Sequence, residues 1–175
     1  MQSVKVVVTG PFNAGKTTFI KAVSEITVLS TERQVSGMSG EGSGETTVAM
    51  DFGRITISDD VVLYLFGTPG QERFSFMWET LSEGMLGFVL LVDATDDDSF
   101  EDALAMIRFF RSMSDVPFVV AANKVGASDL DAIRVVRERL ELEESIALLP
   151  VDARDRDSVK AVLLGLLYEI LNSMA

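Results

Sequence analysis

An α/β domain, with a mostly parallel sheet covered by helices on both faces, is the fold class this sequence predicts. Three observations lead there. Short, continuous apolar runs recur along the chain, as suits strands buried on both sides. Between them lie segments whose apolar residues recur every three or four positions, the period of a helix packed on one face. The two patterns alternate from end to end with no internal repeat and no break in composition, so residues 1–175 read as a single domain.

The elements follow in order. A buried strand is expected at 4–9 (VKVVVT) and a helix at 16–26. A longer, alternating, half-exposed strand is expected at 48–57 and another at 61–66, with Asp59 and Asp60 making the turn between them. Continuous apolar runs at 86–92 (LGFVLLV), 117–122 and 146–151 supply three further strands. Phe100, Leu104, Ile107 and Phe110 form a helical stripe behind Asp98 and Glu101, a start that resembles a capping box. Leu130, Ile133, Val136 and Leu140 form a second stripe, and Val159, Val162, Leu163, Leu166 and Ile170 a third. Residues 31–45 show no apolar period and hold Gly37, Gly40, Gly42 and Gly44, which reads either as a flexible linker or as a mobile loop that a ligand orders.

Composition removes several chemistries. The 175 residues include no cysteine and no histidine, which excludes disulfides, thiol nucleophiles, the usual zinc sites and Ser-His-Asp triads. Acidic residues number 27 against 15 basic ones, a net charge of −12 that repels nucleic acid and anionic lipid. The start MQSVKVVVTG lacks a signal-peptide layout, and Gln2 stands where myristoylation needs glycine. The longest apolar segment, 159–171, carries Lys160 and Glu169 and is too short for a bilayer. A soluble, cytoplasmic protein with no membrane anchor and no nucleic-acid partner is therefore expected.

In sheets of this class, ligands sit beyond the carboxyl ends of the strands. The first strand ends at Gly10, and GPFNAGKTT follows, then a helix, matching G-x-x-x-x-G-K-[ST] in its proper context. Gly10 and Gly15 let the loop turn its backbone N–H groups inward around phosphate oxygens, and the helix N-terminus adds its dipole. In such a loop Lys16 reaches the β- and γ-phosphates and the Thr17 hydroxyl binds magnesium. A second glycine-containing string, GTPGQERF at 67–74, follows directly on a strand.

At these residues the chain resembles the Ras-like small GTPases, closest to the Rab and Arf branches and to bacterial members, over essentially its whole length. The resemblance implies a three-layer P-loop NTPase fold with a six-stranded, mostly parallel sheet and about five helices. It implies a molecular switch that binds GTP with Mg2+ and hydrolyses it to GDP and phosphate. The catalytic residues it implies are Gln71, which orients the attacking water, with Lys16 and Thr47. Thr47, in TVAMDF at 47–52, would join Thr17 on the metal, with Thr46 as the alternative beside it. The implied nucleotide-binding set is Gly10, Asn13, Ala14, Gly15, Lys16, Thr17, Thr18, Gly70, Asn123, Lys124, Asp152, Ala153 and Arg154. Within it the Gly70 N–H meets the γ-phosphate, Asn123 and Lys124 resemble the guanine motif, and the Ala153 N–H faces the guanine oxygen from VDARD at 151–155.

The chain departs from that family at several points. Gly67 stands where D-x-x-G has its magnesium-holding aspartate, so metal affinity falls or another carboxylate serves. Gly126 stands where N-K-x-D has the aspartate that reads guanine, leaving Asp129 and Asp152 as candidate substitutes. Phe12 puts a bulky ring in the phosphate loop, which predicts slow intrinsic hydrolysis. Arg33 reads either as a solvated loop charge or as an arginine finger in cis. These losses are similar to those of certain bacterial Ras-like GTPases that work with roadblock-domain partners, so a GTPase-activating or roadblock-type regulatory protein on the switch surface is expected. Phe74, Phe76, Met77 and Trp78 read equally as an anchor for such a partner or as core. Two rival functions stand beside the switch: a pseudo-GTPase scaffold, and an NTPase that selects poorly between guanine and adenine.

Overall fold

The computed structural model describes residues 1–36, 45–126 and 128–175, and the backbone alone at 29–36, 45–49 and 72. The strands are β1 (Gln2–Thr9), β2 (Leu29–Ser36), β3 (Glu45–Ser58), β4 (Val61–Gly67), β5 (Gly87–Asp93), β6 (Phe118–Asn123) and β7 (Leu148–Val151). The helices are α1 (Lys16–Val23), α2 (Ser75–Ser82), α3 (Ser99–Met113), α4 (Leu130–Arg139) and α5 (Arg156–Ser173), with a short 3-10 turn at Glu72–Phe74. The strands form one sheet in the order β2-β3-β4-β1-β5-β6-β7. Pairs from β4 through β7 are parallel, and β2-β3 and β3-β4 are antiparallel.

This is the expected α/β, three-layer P-loop NTPase arrangement. It contains the six expected strands and, among the described residues, a seventh. That strand is β2, whose backbone pairs with β3 from Leu29↔Phe52 to Ser36↔Glu45. Residues 31–36 are mostly polar and are expected in a linker or loop; an edge strand buries little and needs no apolar alternation. Residues 37–44 of the glycine-rich stretch lie outside the described residues. Two local expectations also change. Helix α1 ends at Val23 instead of reaching 26, where the Ser24 backbone N–H closes the last turn on Ile20. Asp98 makes no side-chain cap on α3, so the capping box is not formed.

The period-2 geometry of β1 sorts the core. Val6 and Val8 point to one face, packed with α1 and α5; Val7 points to the other, packed with α2, α3 and α4. All three valines are fully buried, as the unbroken apolar run anticipated. With β1, β4, β5, β6 and β7 parallel, their carboxyl ends open on one edge. The loops at 10–15, 68–71, 124–126 and 152–154 therefore meet there. No helix among the described residues is long and apolar enough to cross a membrane.

Candidate functional site

Along that edge runs a cleft of about 950 Å³, lined by residues from all four loops. Its floor at one end is the loop after β1. Gly10 (φ 153°) and Gly15 (φ 106°) occupy backbone conformations that a side chain rarely adopts. A Cβ at Gly10 would stand 2.1 Å from the Leu91 carbonyl oxygen. Asn13 (φ 65°) and Lys124 (φ 65°) are left-handed without being glycine, one in each of the loops that form the two ends of the cleft. Such conformations cost about 1–3 kcal/mol each and cluster at functional sites.

Lys16 opens α1 and is 9% exposed, its Nζ donating to the carbonyl oxygens of Gly10 (2.5 Å) and Pro11 (2.8 Å). Burial pushes its ammonium down to about 8, and the Asp51 carboxylate only partly offsets that. A buried cation tied to two loop carbonyls is poised to exchange them for an anion. Thr17 and Thr18 are exposed beside it, and Gly70 packs on the loop. Gln71, half-buried, also lines the cleft, and its Oε1 accepts from Arg73 Nε at 2.8 Å.

A carboxylate lies next to the position where Gly67 lacks one. Asp51 on β3 pairs directly with Gly67 on β4. A Cβ at Gly67 would meet Ile20 Cδ1 at 3.0 Å, Asp51 Cβ at 3.2 Å and Asp51 Oδ2 at 3.5 Å, so a side chain at 67 would start out beside the Asp51 carboxylate. Thr17 Oγ1 donates to Asp51 Oδ2 at 2.5 Å. Sequence reading missed Asp51; its signal was the DF in TVAMDF, one strand away from a glycine that should have been acidic. Thr47 has its backbone in β3 opposite Gln34, and Arg33 has its backbone opposite Val48; the side chains of Thr46, Thr47 and Arg33 lie outside the described residues.

The other end is held by Asn123. Its Nδ2 donates to the Ala14 carbonyl (3.0 Å), while its Oδ1 accepts from the backbone N–H groups of Lys124 (3.0 Å) and Ala153 (3.2 Å). One buried amide thus ties three loops together. It also changes an expectation: the Ala153 N–H, read as facing a base oxygen, is engaged by Asn123. Lys124 Nζ donates to Asp93 Oδ2 at 2.7 Å. Burial alone would raise Asp93, but the hydrogen bonds from Lys124 and Thr95 outweigh it and hold the carboxyl below its ordinary range. Gly126 faces open space, with nothing within 4 Å of a built Cβ. Asp129 caps α4 by accepting from the Ala132 N–H, and Asp152 lines the cleft in a two-pronged contact with Arg154 (3.0 and 3.1 Å). Of the two candidate substitutes for the aspartate missing at 126, only Asp152 stands at the cleft.

A family described as "conserved hypothetical ATP binding protein" matches residues 31–172 of the chain. The chain belongs to that family. It is 32% identical over 132 residues to the uncharacterized protein MJ1339 of Methanocaldococcus jannaschii, covering 75% of this chain and 77% of that one. It is 27% identical over 135 residues to human Ras-related protein Rab-8B, covering 74% and 65% of the two chains. It is 23% identical over 169 residues to ADP-ribosylation factor-like protein 8c of Arabidopsis thaliana, covering 93% and 85%. These relatives put this family member in the Ras-like superfamily, with a GTPase-like, nucleotide-binding function. Phe74 and Trp78 of the segment after GTPGQ are buried in the described fold, whereas Phe76 is 47% exposed. Of the four residues that read equally as partner anchor or core, Phe74 and Trp78 are core, Met77 is half-buried and Phe76 is not core.

Proposed function

We propose that the protein is a GTP-binding molecular switch that hydrolyses GTP to GDP and phosphate. The observation that carries this reading is the Thr17–Asp51 contact beside buried Lys16. A hydroxyl from the first turn of α1 and a carboxylate from β3 converge where the family needs hard oxygen donors, although Gly67 supplies none. That donor pair fits magnesium, which takes one or two protein oxygens and completes its shell with phosphate oxygens and water. Thr17 and Asp51 would hold the ion, with Thr47 as the third ligand implied by resemblance. When bound, magnesium withdraws charge from the β- and γ-phosphate oxygens.

The chain's own groups do the rest. Backbone N–H groups of the loop and the N-terminus of α1 hold the phosphates. Lys16 leaves the Gly10 and Pro11 carbonyls for the β- and γ-oxygens. Gln71 orients a water in line with the γ-phosphorus. The water oxygen bonds to phosphorus, the bond to the β–γ bridging oxygen breaks, and that electron pair leaves with GDP. The water's proton passes to phosphate or solvent. Before it can accept from that water, Gln71 Oε1 must give up Arg73, which supports slow intrinsic hydrolysis. Phe12 and Phe76, 60% and 47% exposed, suit a GTPase-activating or roadblock-type protein on the switch surface. The cytoplasm is the proposed location.

A second reading, an NTPase with little base preference, is favoured by the open space at Gly126 and the engaged Ala153 N–H. Denaturing the purified protein and separating the released nucleotide by chromatography decides which base it carries. Single-turnover assays with GTP and ATP then measure hydrolysis. GTP turnover that Gln71→Leu slows is expected; a protein that releases no nucleotide and turns over neither would sink the switch.

A further inference from the structure

We propose that Trp78 is a positioning residue that orients the Pro69–Gly70 peptide so that the Gly70 N–H faces the terminal phosphate. The inference rests on the nucleotide-switch reading above and adds to it the element that makes the site sense a third phosphate.

Trp78 is the chain's single tryptophan. It sits on α2, 3% exposed, and its indole Nε1 donates to the Pro69 carbonyl oxygen at 2.9 Å. Packing alone accounts for the ring, which lies 5.4 Å from Phe109 and 6.1 Å from Phe110 between centroids. Packing does not account for the N–H, since a phenylalanine would fill an aromatic cluster without needing a polar partner.

The carbonyl that Trp78 holds belongs to the same peptide unit as the Gly70 N–H. In a trans peptide these two groups point in opposite directions. With the oxygen drawn toward α2, the N–H is turned away from the core. On the cleft side, Gly70 touches the phosphate loop: a Cβ there would stand 2.5 Å from the Phe12 backbone nitrogen and 2.7 Å from Lys16 Nζ. Glycine is required by this approach, and it leaves the peptide plane with little restraint of its own.

The surroundings show where restraint is needed. Upstream, Thr68 is fixed by its N–H on the Val8 carbonyl (3.0 Å) and by its Oγ1 on Thr9 Oγ1 (2.8 Å). Pro69 has its φ locked by the ring. The remaining rotations, ψ of Pro69 and φ of Gly70, swing the peptide plane between a carbonyl and an N–H facing the phosphate. A carbonyl there would repel the γ-phosphate. The indole hydrogen bond selects the donor-facing state, so its removal should weaken triphosphate binding and leave diphosphate binding alone.

The test compares GDP with the non-hydrolysable triphosphate GMPPNP, both with magnesium, in wild type and Trp78→Phe. Because Phe is smaller and its variant can lose stability, a second protein carries β-(3-benzothienyl)alanine at 78, which keeps the indole's shape and replaces the N–H by sulfur. In both, affinity for GMPPNP should fall about five- to tenfold while that for GDP changes less than about twofold, as expected for one hydrogen bond between buried groups. In the benzothienyl protein the thermal midpoint should fall by only the few degrees that one buried hydrogen bond is worth. An equal fall for the two nucleotides, or no fall for GMPPNP in the benzothienyl protein, would overturn the positioning role. Wild-type protein that binds neither nucleotide would overturn the switch reading itself, and this inference with it.

Discussion

The two ends of the cleft are built differently. At the phosphate end, Lys16 is buried, Thr17 and Asp51 are in contact, and Gly70 packs against the loop. At the opposite end, the side chains of Lys124 and Asp152 are about half exposed, and each is paired within the protein, to Asp93 and Arg154. Among the described residues, nothing lies within 4 Å of a Cβ built at Gly126. Buried, charge-assisted contacts carry most of the affinity, while exposed pairs contribute about 0–1 kcal/mol. On the function proposed above, the contrast describes a site that holds polyphosphate strongly and reads the base weakly.

The largest test of that contrast is Lys16→Ala. Removing one partner of a buried, charge-assisted contact costs about 2–5 kcal/mol, so nucleotide affinity should drop roughly 30- to 5000-fold. The thermal midpoint of the nucleotide-free protein should not fall, because the buried ammonium is a burden on the empty fold. Affinity by titration and the midpoint by calorimetry check the two halves.

Next comes the relocated carboxylate. Asp51→Ala should weaken nucleotide binding in magnesium by roughly 10- to 100-fold and leave binding in excess chelator little changed. The exchange Asp51→Gly with Gly67→Asp should restore part of the magnesium dependence, because the two positions face one volume. Equal losses with and without magnesium would mean that Asp51 serves the fold instead.

Lys16 also gives the phosphate end a pH dependence. Its ammonium titrates near 8 in the empty site, against 10.5 when unperturbed. Below 8 the folded protein buries a charge that the unfolded chain keeps in water. Between 8 and 10.5 the unfolded chain holds the extra proton, so the stability of the empty protein rises with pH across that window. Nucleotide binding runs the other way: phosphate needs the charged lysine, so affinity should decline by up to about tenfold per pH unit above 8. Calorimetric titration at pH 8.5–9 in two buffers of different ionisation enthalpy should register proton uptake.

The smallest effect is expected at the base end. The open space at Gly126 accepts a carboxylate without a clash, so Gly126→Asp should raise the preference for GTP over ATP by roughly tenfold. Competition binding in wild type and variant measures it. A wild-type preference already on the order of thousands would show that Asp152 or another acceptor reads the base, and the contrast between the two ends would lapse.

What the sequence determined by itself was everything that a short stretch of chain encodes locally. The phosphate loop is legible because its glycines, lysine and threonine act within a few residues of one another, between a strand and a helix that its neighbours specify. Five of the six expected strands are legible as continuous apolar runs, and the one at 48–57 by its alternation. The tertiary structure alone decided contacts between distant residues. Asp51 stands beside Gly67 only because antiparallel register sets those two residues opposite each other. A one-residue slip would turn Asp51 to the other face of the sheet. Asn123 closes the base end through partners 109 and 30 residues away. The indole of Trp78 reaches a carbonyl nine residues before it, across the turn between β4 and α2. Local patterns report backbone conformation and burial, whereas the hydrogen-bond partner of a buried polar group depends on how separate elements pack, which no local pattern records.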